Sequence, residues 1–188
     1  MFEASAQKIP FDPNVITLLS LVAVAIGTYF IYAGSIPLAI LFVALAFAFD
    51  GLDGLVARAQ RKVTKFGAYL DGIADRLVEM FVLVAMMHLV WPASEIALFS
   101  LIMLLSFGTF LTSFAKAYAD HRKAITDRKL LDKMDCVFER TERAILIFIS
   151  LILYMYSPIY SQYLLLLGAI LSLIAFLQRF VFVFEHSA

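Results

Sequence analysis

Apolar and polar positions in this chain segregate on a long scale. Six apolar stretches of membrane-spanning length are set apart by short polar breaks. The first runs from about residue 15 to 33 and stops at Gly34-Ser35-Ile36-Pro37; the second runs from there to about 57. The third covers about 68–90 and ends at Trp91-Pro92, and the fourth covers about 94–118. A polar loop, 119–136, precedes a fifth stretch at about 139–156, closed by Ser157-Pro158, and a sixth at about 160–184. The pattern predicts an all-α integral membrane protein with six transmembrane helices. Residues 15–188 form one six-span domain, and residues 1–14 form a juxtamembrane segment. Phe2, Ile9 and Phe11 can anchor that segment at the interface. It has one lysine and no h-region, so no cleavable signal peptide is expected.

Composition sharpens the class. Of 188 residues 63% are hydrophobic, and the mean hydropathy is +0.91. Soluble domains run nearer ~45–50% apolar, so a soluble fold is excluded. The formal net charge is zero, so the total says little about partners, and no nucleic-acid partner is expected. Cys136 is the only cysteine, so no intrachain disulfide can form, and in its charged loop it reads as an ordinary thiol.

The distribution of charge is more informative than its sum. Arg58, Arg61, Lys62 and Lys65 lie at the junction of spans two and three. Lys116, Arg122, Lys123, Arg128, Lys129, Lys133, Arg140 and Arg143 lie at the junction of spans four and five. The other three connections carry no Lys or Arg. The positive-inside rule places both basic junctions and both termini in the cytoplasm. Trp91, Tyr154, Tyr156, Tyr160 and Tyr163 then belong to the opposite interface belt.

Four aspartates sit on the cytoplasmic side of spans two and three. Asp50 and Asp53 are three residues apart, Asp71 and Asp75 four apart, so each pair shares a helix face. Carboxylates at membrane depth are costly and mark function by default. Four together need cations, and hard divalent metals with oxygen ligands suit them.

The segment DGLDGLVARAQRKVTKFGAYLDGIAD, Asp50 to Asp75, resembles the signature of the CDP-alcohol phosphotransferase family, with eight fixed positions spread over 26 residues. A six-span architecture agrees with that family. Asp50, Asp53, Asp71 and Asp75 can hold two Mg²⁺ or Mn²⁺ ions, which clamp a diphosphate and stabilise attacking and leaving oxygens. Gly54 and Ala57 leave room for a nucleotide against the helix, and Gly67 lets backbone approach a ligand. Arg58 can pair with phosphate, stabilise developing charge or contact the cytosine. The run Pro13-Asn14-Val15-Ile16-Thr17 resembles the family's Pro-Asn-x-x-Thr, which implies donor contacts from Asn14 and Thr17. The competing reading is a helix N-cap for Asn14 and a backbone-bonded Thr17. The implied site for the CDP-lipid donor is Asn14, Thr17, Asp53, Gly54, Ala57, Arg58, Gly67 and Asp71. By the same resemblance Asp75 is the catalytic base. It takes a proton from the acceptor alcohol, which attacks phosphorus and expels CMP. The resemblance also implies a homodimer.

Three features bear on the acceptor. Asp75 is followed by Arg76, as in the inositol-lipid branch of the family. Span four ends SFAKAYAD and span five opens FERTER, both similar to the inositol phosphate branch, although Tyr118 stands where that branch often has Arg. Lys116, Arg140 and Arg143 can form a cationic pocket for the phosphate of a phosphorylated polyol. Plain positive-inside anchoring, with Glu139 and Glu142 as ion-pair partners of those arginines, is the bland alternative. The implied enzyme transfers a diacylglycerol- or archaeol-linked phosphate from a CDP-lipid to inositol phosphate, in phospholipid biosynthesis. Glycerol 3-phosphate is the rival acceptor. A transporter would need polar groups at mid-depth, and a non-catalytic scaffold would not need the intact aspartates and Arg58. Glu79, one turn beyond Asp75, can support the metal shell or pair with Arg76.

Overall fold

The computed structural model describes residues 11–90 and 93–187. Among them there is no strand. The helices are α1 (Pro13–Tyr32), α2 (Ile36–Ala59), α3 (Lys65–Val90), α4 (Glu95–Met103), α5 (Thr112–His121), α6 (Arg128–Asp132), α7 (Arg140–Tyr156) and α8 (Pro158–His186). A π-helical segment, Leu104–Leu111, joins α4 to α5 without a break. The predicted boundaries fall within a few residues of these. Phe2, Ile9, Trp91 and Pro92 lie outside the described residues.

Local signals explain where the helices start and stop. Asp12 caps α1 by accepting the Asn14 N–H at 2.9 Å, with Pro13 opening the helix. The cap is therefore Asp12 and not Asn14. Gly34, at φ 75°, closes α1: its N–H reaches the Ile31 carbonyl and the Ser35 N–H reaches Phe30. Thr64 opens α3, its hydroxyl accepting the Gly67 N–H at 2.9 Å. The predicted polar loop is partly ordered. It contains α6, and Ile125 and Leu131 pack with Ala119 against Phe182 and Val183.

Four helical runs are long and apolar enough to cross a membrane: Pro13–Tyr32, Ile36–Ala59, Glu95–His121 and Pro158–His186. The other two predicted spans are α3 and α7. The first carries Lys65, Asp71, Asp75, Arg76 and Glu79, and the second is only 17 residues long with three charges in its first turn.

Contacts divide the chain between Ala85 and Met86, inside α3. In the first unit α1 packs on α2 through Val24, Ile31, Ala39, Val43 and Ala46, all at most 1% exposed. In the second, Leu101, Leu104, Ile147, Leu151 and Leu165 are fully buried. Large apolar residues on the opposite faces of α1 and α8, such as Leu18, Val22, Leu167 and Ile174, are exposed. An outward apolar face on a long, largely apolar helix suits lipid contact.

Candidate functional site

The last turns of α2 and first turns of α3 carry the acidic residues, and the 60–64 connection between them is short. Carboxylate oxygens of Asp50, Asp71 and Asp75 lie within 4.8 Å of one another. Asp75 is buried and the other two are half-buried. Such a group suits a hard divalent cation, because three anionic oxygens at this separation repel one another unless a positive charge stands among them. Arg76 supplies part of that charge: its Nη1 reaches Asp75 Oδ2 at 3.1 Å and the Gly72 carbonyl at 2.9 Å. Glu79 is 1% exposed.

Asp53 stands outside this trio. The Thr17 hydroxyl, on α1, donates to its Oδ2 at 2.5 Å, and the Gly54 N–H donates to Oδ1 at 2.5 Å. Thr17 and Asp53 are each 3% exposed. The same hydroxyl lies 3.2 Å from the Pro13 carbonyl, so both readings of Thr17, backbone-bonded and site-facing, have a physical basis.

Beside Asp53 opens a cleft of about 270 Å³. Asn14, Thr17, Asp53, Gly54, Ala57, Arg58, Gly67 and Asp71 all line it. These are the eight residues that the sequence suggests for the donor, and they come from three helices. Lys62, Val63 and Thr64 complete one wall. Two glycines shape it. A Cβ at Gly67 would lie 3.2 Å from Asn14 Oδ1, and one at Gly54 would lie 3.3 Å from Arg58 Nη1. The exposed Arg58 guanidinium therefore folds back over Gly54, against the cleft it lines. A polar cradle with an exposed guanidinium and two close approaches at glycines can take a phosphorylated nucleotide.

The second unit holds the residues suggested for the acceptor. Lys116 on α5 and Arg140 on α7 are half-buried, and Arg143 on α7 is 4% exposed. Tyr118 is stacked on Phe114 and His121 and is exposed.

The Glu139 carboxylate, which the bland reading pairs with Arg140 or Arg143, is gripped by Arg179 of α8, at 2.8 and 3.0 Å. Arg179 also donates to the Thr112 carbonyl at 2.8 Å. No sequence motif marks Arg179. The available signal was a lone cation deep in an apolar run, which needs a partner. Cys136 donates its backbone N–H to Glu139 at 2.9 Å. Burial, then its hydrogen bond to Glu139, pushes the Cys136 thiol up from its ordinary value, which keeps it protonated and unreactive.

The sequence matches the CDP-alcohol phosphatidyltransferase family over residues 11–175. An archaetidylinositol phosphate synthase of Pyrococcus horikoshii is 33% identical over 171 residues, covering 89% of this chain and 80% of its own. A CDP-diacylglycerol–glycerol-3-phosphate 3-phosphatidyltransferase of Pectobacterium atrosepticum is 40% identical over 77 residues, covering 38% of this chain and 42% of its own. The fold is similar to that of the Mycobacterium tuberculosis phosphatidylinositol phosphate synthase solved with CDP-DAG bound. The TM-score is 0.81 at 23% identity, over 98% of this chain and 94% of that one.

Proposed function

This chain belongs to the CDP-alcohol phosphatidyltransferase family, and from that premise we propose that it makes a phosphorylated inositol lipid, using inositol phosphate as the acceptor. It is a phosphotransferase and an integral membrane protein. The observation that carries the reading is the meeting of the Asp50–Asp71–Asp75 oxygens within 4.8 Å beside a cleft lined by Asn14, Thr17 and Arg58.

In the proposed reaction the donor's diphosphate lies in the cleft and its tails extend into the bilayer. Asp75 removes the proton from the acceptor hydroxyl. The resulting oxygen attacks the lipid-bearing phosphorus. The bond from that phosphorus to the bridging oxygen breaks, and CMP leaves with both electrons. Arg58 offsets the negative charge that develops on the leaving phosphate. Gly54, Ala57 and Gly67 keep the walls low enough for the nucleotide. Asp50, Asp53, Asp71 and Asp75 would hold two Mg²⁺ or Mn²⁺ ions, which when bound neutralise the diphosphate and polarise its oxygens.

The acceptor assignment rests on two supports. The Pyrococcus relative, named for inositol phosphate chemistry, aligns over most of both chains. Lys116, Arg140 and Arg143 supply cations suited to the acceptor's phosphate. The Pectobacterium relative favours glycerol 3-phosphate as the second reading, over a shorter alignment. We further propose that α3 and α7 complete six spans, that both termini and the site face the cytoplasm, and that the enzyme works as a homodimer.

Substitution tests the catalytic assignment. Asp71→Asn and Asp75→Asn are each expected to lower CMP release by roughly 10²–10⁴-fold, the range for losing a positioned acid–base group or its equivalent. Undiminished release from either variant would overturn the mechanism.

A further inference from the structure

Arg143 raises a physical problem of its own. It sits in the first turn of α7, it is 4% exposed, and it is flanked by apolar helices. A long cationic side chain there needs room as well as electrostatic support. The room comes from one place. Leu104–Leu111 is π-helical, and the Thr112 N–H reaches back to the Phe107 carbonyl in the wide-turn pattern. Gly108 lies buried in the middle of that segment. A Cβ added there would lie 2.7 Å from Arg143 Cδ and 2.8 Å from Ser172 Oγ of α8, with Arg143 Nε at 3.4 Å. The stem of Arg143 therefore fills a notch whose floor is the Gly108 backbone and whose side is Ser172. Ser172 is fully buried.

Neither neighbour can yield easily. Cδ is the middle of the arginine stem, not its free end. The serine side chain is short and enclosed. The notch is also fixed from behind. The Thr112 hydroxyl donates to the Gly108 carbonyl, and Arg179 holds the Thr112 carbonyl and the Glu139 carboxylate that precedes Arg140. The π turn and the start of α7 are thus tied to the same residue of α8.

We propose that Gly108, on its π turn, is a positioning residue for Arg143. It sets the path of the stem and with it the place where the guanidinium meets the acceptor's phosphate. This rests on the assignment of Arg143 to acceptor binding given above. Gly108 and Ser172 touch no substrate themselves; their effect passes through Arg143.

The test is steady-state CMP release by the full-length protein in detergent, varying inositol phosphate and CDP-lipid separately. Gly108→Ala is expected to raise the KM for inositol phosphate about tenfold, the scale of modest overpacking. The KM for the CDP-lipid is expected to stay unchanged. Ser172→Ala added to Gly108→Ala returns part of the acceptor KM, because the stem can move into the space of the lost hydroxyl. Ser172→Val crowds the notch from the other wall and is expected to mimic Gly108→Ala, so the test survives if the alanine variant does not fold. Arg143→Gln separates the two layers of the claim. If it raises the acceptor KM while Gly108→Ala and Ser172→Val leave it at the parent value, the positioning role is overturned and the pocket stands. If Arg143→Gln leaves the acceptor KM unchanged, both are overturned.

Discussion

Thr17 and Asp53 illustrate what single residues do here. The hydroxyl of one helix reaches the carboxylate of another at 2.5 Å, both out of water. The family motif around Pro13 marked Thr17 as a donor contact, and its place in the cleft suits that role. Its bond to Asp53 could not be read from spacing, because it depends on how α1 is rotated against α2. Removing the hydroxyl should leave the carboxylate turned and less well held. Thr17→Val is expected to raise the divalent-ion concentration needed for half-maximal CMP release by about tenfold, the scale of one hydrogen bond to a charged group. Thr17→Ser should retain the parent value. A valine variant with an unchanged metal dependence would rule out this role for the hydroxyl. Helical spacing grouped Asp50, Asp53, Asp71 and Asp75; the oxygens of Asp50, Asp71 and Asp75 meet within 4.8 Å, whereas Asp53 is turned to the Thr17 hydroxyl. Arg179 was not legible, because nothing local announces a partner 40 residues away.

At the level of elements, apolar run length and turn residues located every long helix. Three features escaped. The π segment has no sequence marker beyond Gly108, which lies against Arg143 and Ser172 of α8. The loop after α5 read as plain polar, yet Ile125 and Leu131 anchor it to Phe182 and Val183. The helix ends at Arg61 and Lys123 adopt φ of 55° and 56°, where glycine is the comfortable residue. Both close their helices with the paired backbone bonds of a left-handed cap: Lys62 N–H to Ala57 and Arg61 N–H to Arg58, Ala124 N–H to Ala119 and Lys123 N–H to Asp120. A side chain in that conformation costs about 1–2 kcal/mol. Lys123 is exposed and lies outside the cleft. Lys123→Gly is therefore expected to stabilise the protein by about 1 kcal/mol and to leave CMP release unchanged. Thermal unfolding in detergent reads the first effect, and a lowered unfolding midpoint would show that the lysine side chain has a role that backbone strain does not capture.

For the whole molecule, hydropathy alone separates a membrane protein from a soluble one, and four helical runs meet the requirement for crossing a bilayer. The two further proposed spans, α3 and α7, fall short because of their charged residues and, for α7, its length of 17 residues. The acidic residues of α3 and the cations of α7 are the groups proposed to meet diphosphate and acceptor, and their charge lowers the apolarity of the helices that carry them. The family assignment fixes the class of reaction, and the acceptor is the claim with most at stake. The direct measurement is CMP release by purified, detergent-solubilised protein with Mg²⁺ and a CDP-diacylglycerol or CDP-archaeol donor, with inositol 1-phosphate, glycerol 3-phosphate, serine and free inositol offered in parallel. The account predicts release with inositol 1-phosphate well above every other acceptor. Release driven by glycerol 3-phosphate instead, with inositol 1-phosphate inert, would contradict it.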